Sequence, residues 1–251
     1  MAQSWDAIVI GAGIIGASVA RELAAKGFKA LSIDRLPAAS YGSTSNSCAI
    51  IRPYYSTVHG SAVAYEGHYY WADWENFCGV TDELGMAGYN NCGCMVMKTE
   101  HNDFLEGILK VMDQIGCPYE ELTPAQVRER VPPISTHSFD HPRRTDDPAF
   151  GEPRGREVRG AVLFPKGGYI SDPQLAGHNV QRAAEAKGAT FRFNTGVTAI
   201  RRNGDQVTGV TLDNGEEFDA PIVVNVAGPH SSKITEMAGL TGTMRITTRA
   251  L

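Results

Sequence analysis

Gly11, Gly13 and Gly16 stand in a Gly-x-Gly-x-x-Gly spacing, and Asp34 follows 18 residues after the last of them. Such a set can hold the two phosphates and one ribose of a dinucleotide. The first glycine permits a tight turn, the second lets the backbone approach a pyrophosphate, and the third lets a helix pack closely on a strand. A helix that begins there turns free N–H groups and its positive dipole end toward the phosphates. An acid roughly 20 residues further on accepts from a ribose hydroxyl and repels a 2′-phosphate, which disfavours an NADP-type ligand. Other candidate chemistry is thin. His137 and His141 have the four-residue spacing of a helical metal pair, but Pro133 and Pro142 oppose a helix, so a solvated loop and no metal are expected. Cys92 and Cys94 form a Cys-Gly-Cys pattern that no common zinc site uses. No Gly-x-Ser-x-Gly elbow is present, so a serine hydrolase has no support. His59 and His68 are expected to pack beside aromatic neighbours.

The surrounding elements place the glycines correctly. Ala7 to Ile10 is a short apolar run, as in a buried parallel strand. Ile15, Val19 and Leu23 then recur at helical spacing, and Gly27 is placed to end that helix. Lys29 to Ile33 reads as a second strand with Asp34 at its end. The alternation then breaks. Residues 40–58 read as a loop around Ile50-Ile51, 60–78 as an aromatic-rich helix, and Cys94 to Thr99 as a strand. Phe104 to Ile115 is an amphipathic helix, and Thr123-Pro124 opens another. Residues 135–160 are rich in proline, arginine and acids and read as an exposed excursion. Asp172-Pro173 starts a helix ending near Gly188. Thr190 to Arg202, Gln206 to Leu212 and Glu216 to Ala220 read as a β-meander turning at Asn203-Gly204 and Asn214-Gly215. Ile222 to Val226 is a last apolar strand, followed directly by Ala227-Gly228.

Composition sets the outer limits. The 251 residues carry 23 Lys and Arg against 28 Asp and Glu, a net charge of −5 that argues against nucleic acid as a partner. No apolar run approaches the ~20 residues of a membrane span. The five cysteines fit reduced thiols in a cytoplasmic protein. A break in the βαβ alternation after Asp34 suits a flavoprotein whose adenosine site is built from separated chain segments better than a pyridine-nucleotide dehydrogenase.

Four segments carry a closer likeness: Ile8 to Gly16, the loop GSTSNSCAIIRPYY from Gly42 to Tyr55, GGYISDP from Gly167 to Pro173, and Val197 through Gly228. In that order they resemble the FAD-dependent amine and amino-acid oxidoreductases of the D-amino-acid oxidase superfamily. The branch of the sarcosine oxidase beta-subunit and dimethylglycine dehydrogenase is the nearest. The resemblance implies an α/β fold: a Rossmann-like FAD-binding domain of glutathione-reductase type with an inserted α+β substrate domain, incomplete at the C-terminus. The FAD-binding domain is expected over 1–80 and 161–240, the first part of the substrate domain over 81–160, and the start of a truncated return over 241–251.

The resemblance also assigns positions. Gly11, Gly13 and Gly16 would hold the FAD pyrophosphate, with Ile15 among the cofactor-contacting positions. Asp34 would bind the adenosine ribose with Arg35 beside it. Ser43, Thr44 and Ser45 would meet the phosphate and ribityl region, Val197 the adenine, and Ala227 and Gly228 would close over the cofactor. Arg52 would pair with a substrate carboxylate, a role that suits a guanidinium fork. None of the five cysteines matches the covalent flavin attachment of some relatives. The implied activity is oxidation of a small amine or N-methylated, sarcosine-like amino acid by hydride transfer to flavin, faster as pH rises and the amine loses its proton. Three alternatives stay open: a hydroxy-acid or glycerol-phosphate dehydrogenase on the same scaffold, a non-catalytic FAD-binding subunit that relies on a partner, and an inactive fragment. A partner subunit or separate electron acceptor is compatible with each enzyme reading.

Overall fold

In the computed structural model, residues 3–139, 141, 143–153 and 156–241 are described, and the expected return over 241–251 lies outside them except for residue 241. The apolar run Ala7–Ile10 forms a strand with all four residues buried. It is apolar throughout because it sits inside a parallel sheet covered on both faces. Ala30–Ile33 flanks it on one side and Ile222–Asn225 on the other, both parallel to it. Thr190–Arg192 extends the sheet beyond Ala30–Ile33. The helix Ile14–Ala25 packs on the helix Pro173–Ala186, and Ala20, Ala24, Ala184 and Ala189 cluster where small side chains allow close approach. Asp172 starts the second of these helices by accepting from the Leu175 N–H at 2.9 Å, with Pro173 in the first helical position.

A second sheet is the expected meander. Val197–Asn203, Gln206–Leu212 and Glu217–Asp219 run antiparallel, and Gln3–Ser4 adds a parallel edge. Ile8, Ile10, Leu31 and Ile33 of the first sheet share a core with Ile200, Val210, Leu212 and Phe218 of the second. One expectation fails here. Thr190 to Arg202 is two strands in two sheets, not one. Asn194 takes a left-handed turn at φ +52°, its N–H donates to the Leu36 carbonyl, and the Thr195 N–H donates to the Asp34 carbonyl. Those bonds pull the chain out of the first sheet and redirect it into the second.

These elements, with Trp74–Cys78, belong to one compact unit of residues 1–49, 73–88 and 170–251. Within it the 79–88 loop is clamped to the Pro173–Ala186 helix through the buried Asp82. One Asp82 oxygen accepts from the Leu84 N–H at 2.9 Å, and the other from Asn179 Nδ2 at 2.7 Å and His178 Nδ1 at 2.6 Å. Burial pushes the Asp82 carboxyl up, but the donors of Leu84, Asn179 and His178 outweigh it and hold the group below the usual carboxylate range. Its folded pKa is depressed, so the stability it supplies is present above about pH 4 and is lost as pH falls further. The Asp82→Asn variant is expected to lose about 2 kcal/mol at neutral pH and to show a shallower acid limb of stability. Urea titrations at several pH values would read both, and an unchanged acid limb would refute the assignment.

The second unit comprises residues 50–72 and 89–169. The sequence reading grouped 50–72 with the cofactor-binding part, whereas these residues pack with 89–169. The helix expected over 60–78 is accordingly two helices, Val58–Ala72 in this unit and Trp74–Cys78 in the other. The break falls at Asp73, whose backbone leaves the helical region at φ −125°, ψ 46°, and whose carboxylate accepts from Asn76 Nδ2 at 2.7 Å. Cys94–Met97 and Glu120–Leu122 flank Ala161–Phe164 in an antiparallel sheet. Val162 and Phe164 pack on the helix Phe104–Ile115, while Ala161 and Leu163 pack with Val127 on the opposite face. That alternation is the two-residue period of a strand buried on both sides. Among the described residues of 135–160 there is no helix or strand, only an isolated bridge between His137 and Glu157 with flanking backbone bonds from Ser138 to the Arg156 carbonyl and from Val158 to the Thr136 carbonyl. The arrangement is an α/β Rossmann-like fold with an α+β unit inserted into it. No helix among the described residues is long and apolar enough to cross a membrane.

Candidate functional site

The glycine turn is held by its neighbours from below. Gly11 has φ +107°, and its N–H donates to the Ile33 carbonyl at 2.8 Å. A Cβ on Gly16 would lie 1.8 Å from the Gly11 carbonyl oxygen, and one on Gly11 would lie 2.5 Å from that of Val226. Both positions are closed to any side chain, because backbone cannot step aside as a flexible side chain can. Gly13 differs. A Cβ there would meet only Thr44 Oγ1 at 3.2 Å. Thr44 Oγ1 in turn accepts from the Ile14 N–H at 3.2 Å. No acid stands in the first turn of Ile14–Ala25, so nothing there neutralises the positive end of the helix dipole.

Asp34 ties this turn to the second strand. Its Oδ2 accepts from the Ala12 N–H at 2.7 Å and its Oδ1 from the Leu36 N–H at 2.9 Å. An ionised carboxylate has about four acceptor sites, so both oxygens retain capacity for a ribose hydroxyl.

One cavity of about 370 Å³ collects most of the expected positions, a volume within the ~300–1,000 Å³ range of ligand clefts. Gly11, Gly13, Ile15, Gly16, Asp34, Arg35, Ser43, Thr44, Val197, Ala227 and Gly228 line it. Ser45 does not. Its Oγ donates to the Gly42 carbonyl at 3.0 Å and its N–H to that of Ser40, so it closes the loop that presents Ser43 and Thr44. The cavity also takes Thr195, Gly196, His230 and Lys233, which the sequence analysis did not single out. Two signals could have found them. Asn194-Thr195-Gly196 is turn chemistry inside an apparent strand, and Pro229 is a helix-start residue two positions after Ala227. The glycine cradle, the helix N-terminus and Asp34 fit the pyrophosphate and ribose of FAD.

Arg52 belongs to the other unit and is not among the lining residues. Its guanidinium lies over the rings of Tyr54 at 5.3 Å and Tyr55 at 4.8 Å. Hydrogen bonding to Tyr55 raises its pKa first, partial burial opposes this, and Tyr54 adds to the rise. In the same unit, buried His68 places Nδ1 3.0 Å from the Tyr89 hydroxyl and packs edge-on to Tyr69 and Tyr89. Burial, then Lys166, lowers the His68 pKa, which favours a neutral packed imidazole.

Asp82, Glu83 and His178 bring three ligand-type atoms within 4.8 Å of one another. Each is already engaged by the protein, Asp82 as described and Glu83 by the Arg182 fork, with Nε 3.0 Å from both carboxylate oxygens. All five cysteines are unpaired.

A parallel sheet with a glycine turn, a helix N-terminus and an acid at the second strand end defines a dinucleotide-binding oxidoreductase scaffold. The chain belongs to the DAO family of FAD dependent oxidoreductases, whose model matches residues 6–249, and FAD is the cofactor that goes with that assignment. N-methyl-L-tryptophan oxidase of Yersinia pestis is 27% identical over 234 residues, which are 90% of this chain and 54% of that protein. Among solved structures, L-proline dehydrogenase from P. horikoshii superposes with a TM-score of 0.79 at 21% identity, covering 98% of this chain and 58% of that one. Glycine oxidase from Geobacillus kaustophilus gives 0.76 at 20% identity, covering 95% and 59%. The chain thus spans about half the length of the relatives it matches.

Proposed function

We propose that this chain carries the FAD site and part of the substrate site of an enzyme that oxidises a small amine or N-methylated amino acid of the sarcosine type. FAD, when bound, supplies the two-electron acceptor for a carbon next to the amine nitrogen. Family membership supports the cofactor and the general chemistry. Arg52 carries the substrate reading.

Every other described arginine except Arg35 is ion-paired with a carboxylate. Arg52 instead lies over the rings of Tyr54 and Tyr55, with its charge favoured and no carboxylate ion-paired to it among the described residues. A guanidinium presents its N–H groups in a planar fork that matches a carboxylate bidentately. Arg52 therefore supplies the group that would orient an amino acid by its carboxylate. The free thiols fit the cytoplasmic location proposed from the sequence. A partner subunit or an electron acceptor would complete an enzyme of this class.

Anaerobic bleaching of bound flavin by sarcosine and other N-methylated amino acids tests the reading. Bleaching by hydroxy acids alone would overturn it. In the Arg52→Met variant the apparent affinity for the amino acid is expected to fall about 100-fold, the scale of a lost charge-paired fork. FAD affinity is expected to hold. An Arg52→Met protein with unchanged substrate affinity would remove Arg52 from the site.

A further inference from the structure

We infer that His230 is a cofactor-positioning residue: its imidazole Nε2 holds Arg35 at the wall of the dinucleotide pocket. The inference rests on FAD as the cofactor of that pocket. Arg35 Nη2 lies 2.9 Å from His230 Nε2. A guanidinium has five N–H donors and no acceptor, so the imidazole nitrogen must be the acceptor.

Both side chains line the cavity that contains Asp34 and the glycine turn. Arg35 follows Asp34 directly, and His230 closes the short 3-10 turn Gly228–His230 that follows the central-sheet strand Ile222–Asn225. The bond therefore links the two strand ends whose loops make the pocket. It uses one Arg35 donor and leaves the others, on a cation with no carboxylate partner among the described residues, for an acceptor-rich ligand. Adenosine, ribose and pyrophosphate are such a ligand.

Other charged groups stand around this bond. Arg35 faces it from the turn after Ala30–Ile33, and Lys233 shares the cavity wall from the helix Ser231–Met237. Asp34 lines the same wall, with its oxygens accepting from Ala12 and Leu36. Arg202, on the strand packed against that helix, is turned to the Ala238 carbonyl at 2.6 Å. Without an acceptor at position 230, Arg35 loses the bond that holds it at the wall beside Lys233, and FAD affinity falls.

The experiment is an equilibrium titration of the FAD-free 251-residue chain with FAD, followed by flavin fluorescence. His230→Ala is expected to bind about tenfold more weakly than the unaltered chain, the scale of one charge-assisted hydrogen bond. His230→Gln keeps an oxygen acceptor and is expected to recover most of the affinity lost in His230→Ala. The effects of His230→Ala and Arg35→Ala should be far less than additive in the double variant. Circular dichroism reports whether each variant is folded, and His230→Gln decides the question if His230→Ala is not. The inference is overturned by a His230→Gln protein that binds as weakly as His230→Ala, and equally by effects of His230→Ala and Arg35→Ala that simply add. Failure of the unaltered chain to bind FAD would overturn the reading that these 251 residues suffice to hold it, and this inference with it.

Discussion

Gly16→Ala is expected to cost about 4 kcal/mol or more of folding stability, the range reserved for backbone collisions and severe overpacking. The added methyl would lie 1.8 Å from the Gly11 carbonyl oxygen and 3.2 Å from a Val226 methyl. Gly11 cannot retreat, because its own N–H is fixed to Ile33 and its far side faces the Val226 carbonyl. Relief would require the Ile14–Ala25 helix to lift off the sheet, and with it the alanine contacts to Pro173–Ala186. Two comparisons separate fold from ligand. Gly13→Ala meets only the Thr44 hydroxyl oxygen, so its cost should be small in stability and large in FAD affinity. Gly67→Ala, in the helix Val58–Ala72 with nothing within 4 Å, should gain about 0.5–1 kcal/mol. Urea midpoints for the three variants give the ranking. A Gly16→Ala protein as stable as the parent would refute the packing described here.

The second large effect is on the ligand. Asp34→Ala is expected to weaken FAD binding about 100-fold, because it removes a charged acceptor from the ribose and releases the glycine turn. The carboxylate that would read the ribose also accepts from the Ala12 N–H, so the acid shapes the pyrophosphate cradle as well as the sugar site. Asp34→Asn should be nearly as damaging. Its amide has one oxygen for the Ala12 and Leu36 donors, and its NH₂ must face one of them. The readout is the same fluorescence titration, and FAD affinity preserved in Asp34→Ala would sink the assignment.

How much of this was legible in the sequence depends on the range of the interactions involved. The turn at Gly11 to Gly16, the strand Ala7–Ile10 and the acid at 34 were readable because each rests on local sterics and on a strand buried on both faces. Asp172-Pro173 and Asn203-Gly204 were readable for the same reason. The break at Asn194 was only half readable. Asn194-Thr195-Gly196 is turn chemistry, but the apolar and β-branched residues on either side continue a strand pattern, and the bonds that redirect the chain go to the carbonyls of Asp34 and Leu36, some 160 residues earlier. The split at Asp73 was hidden by aromatic residues that continue the helical pattern on both sides. Within the site, Gly11, Gly13, Gly16 and Asp34 came from spacing. Arg35, Ser43, Thr44, Val197, Ala227 and Gly228 came from a family likeness, and the structure lines one cavity with them. His230 and Lys233 had no local signal beyond Pro229, because what makes them notable is Arg35 across the pocket.

The middle position of Ala7–Ile10 in its sheet has a consequence for how the protein is made. Ala7 pairs with Ala30 on one edge and with Ile222 on the other, 215 residues later. At roughly 5–20 residues per second, a ribosome needs about 10–40 s to deliver that second neighbour. Throughout that time one edge of an entirely apolar strand has its backbone N–H and C=O groups unpaired, the kind of edge that templates association between chains. Until the Ile222–Asn225 segment arrives, that edge is where association between nascent chains would be expected.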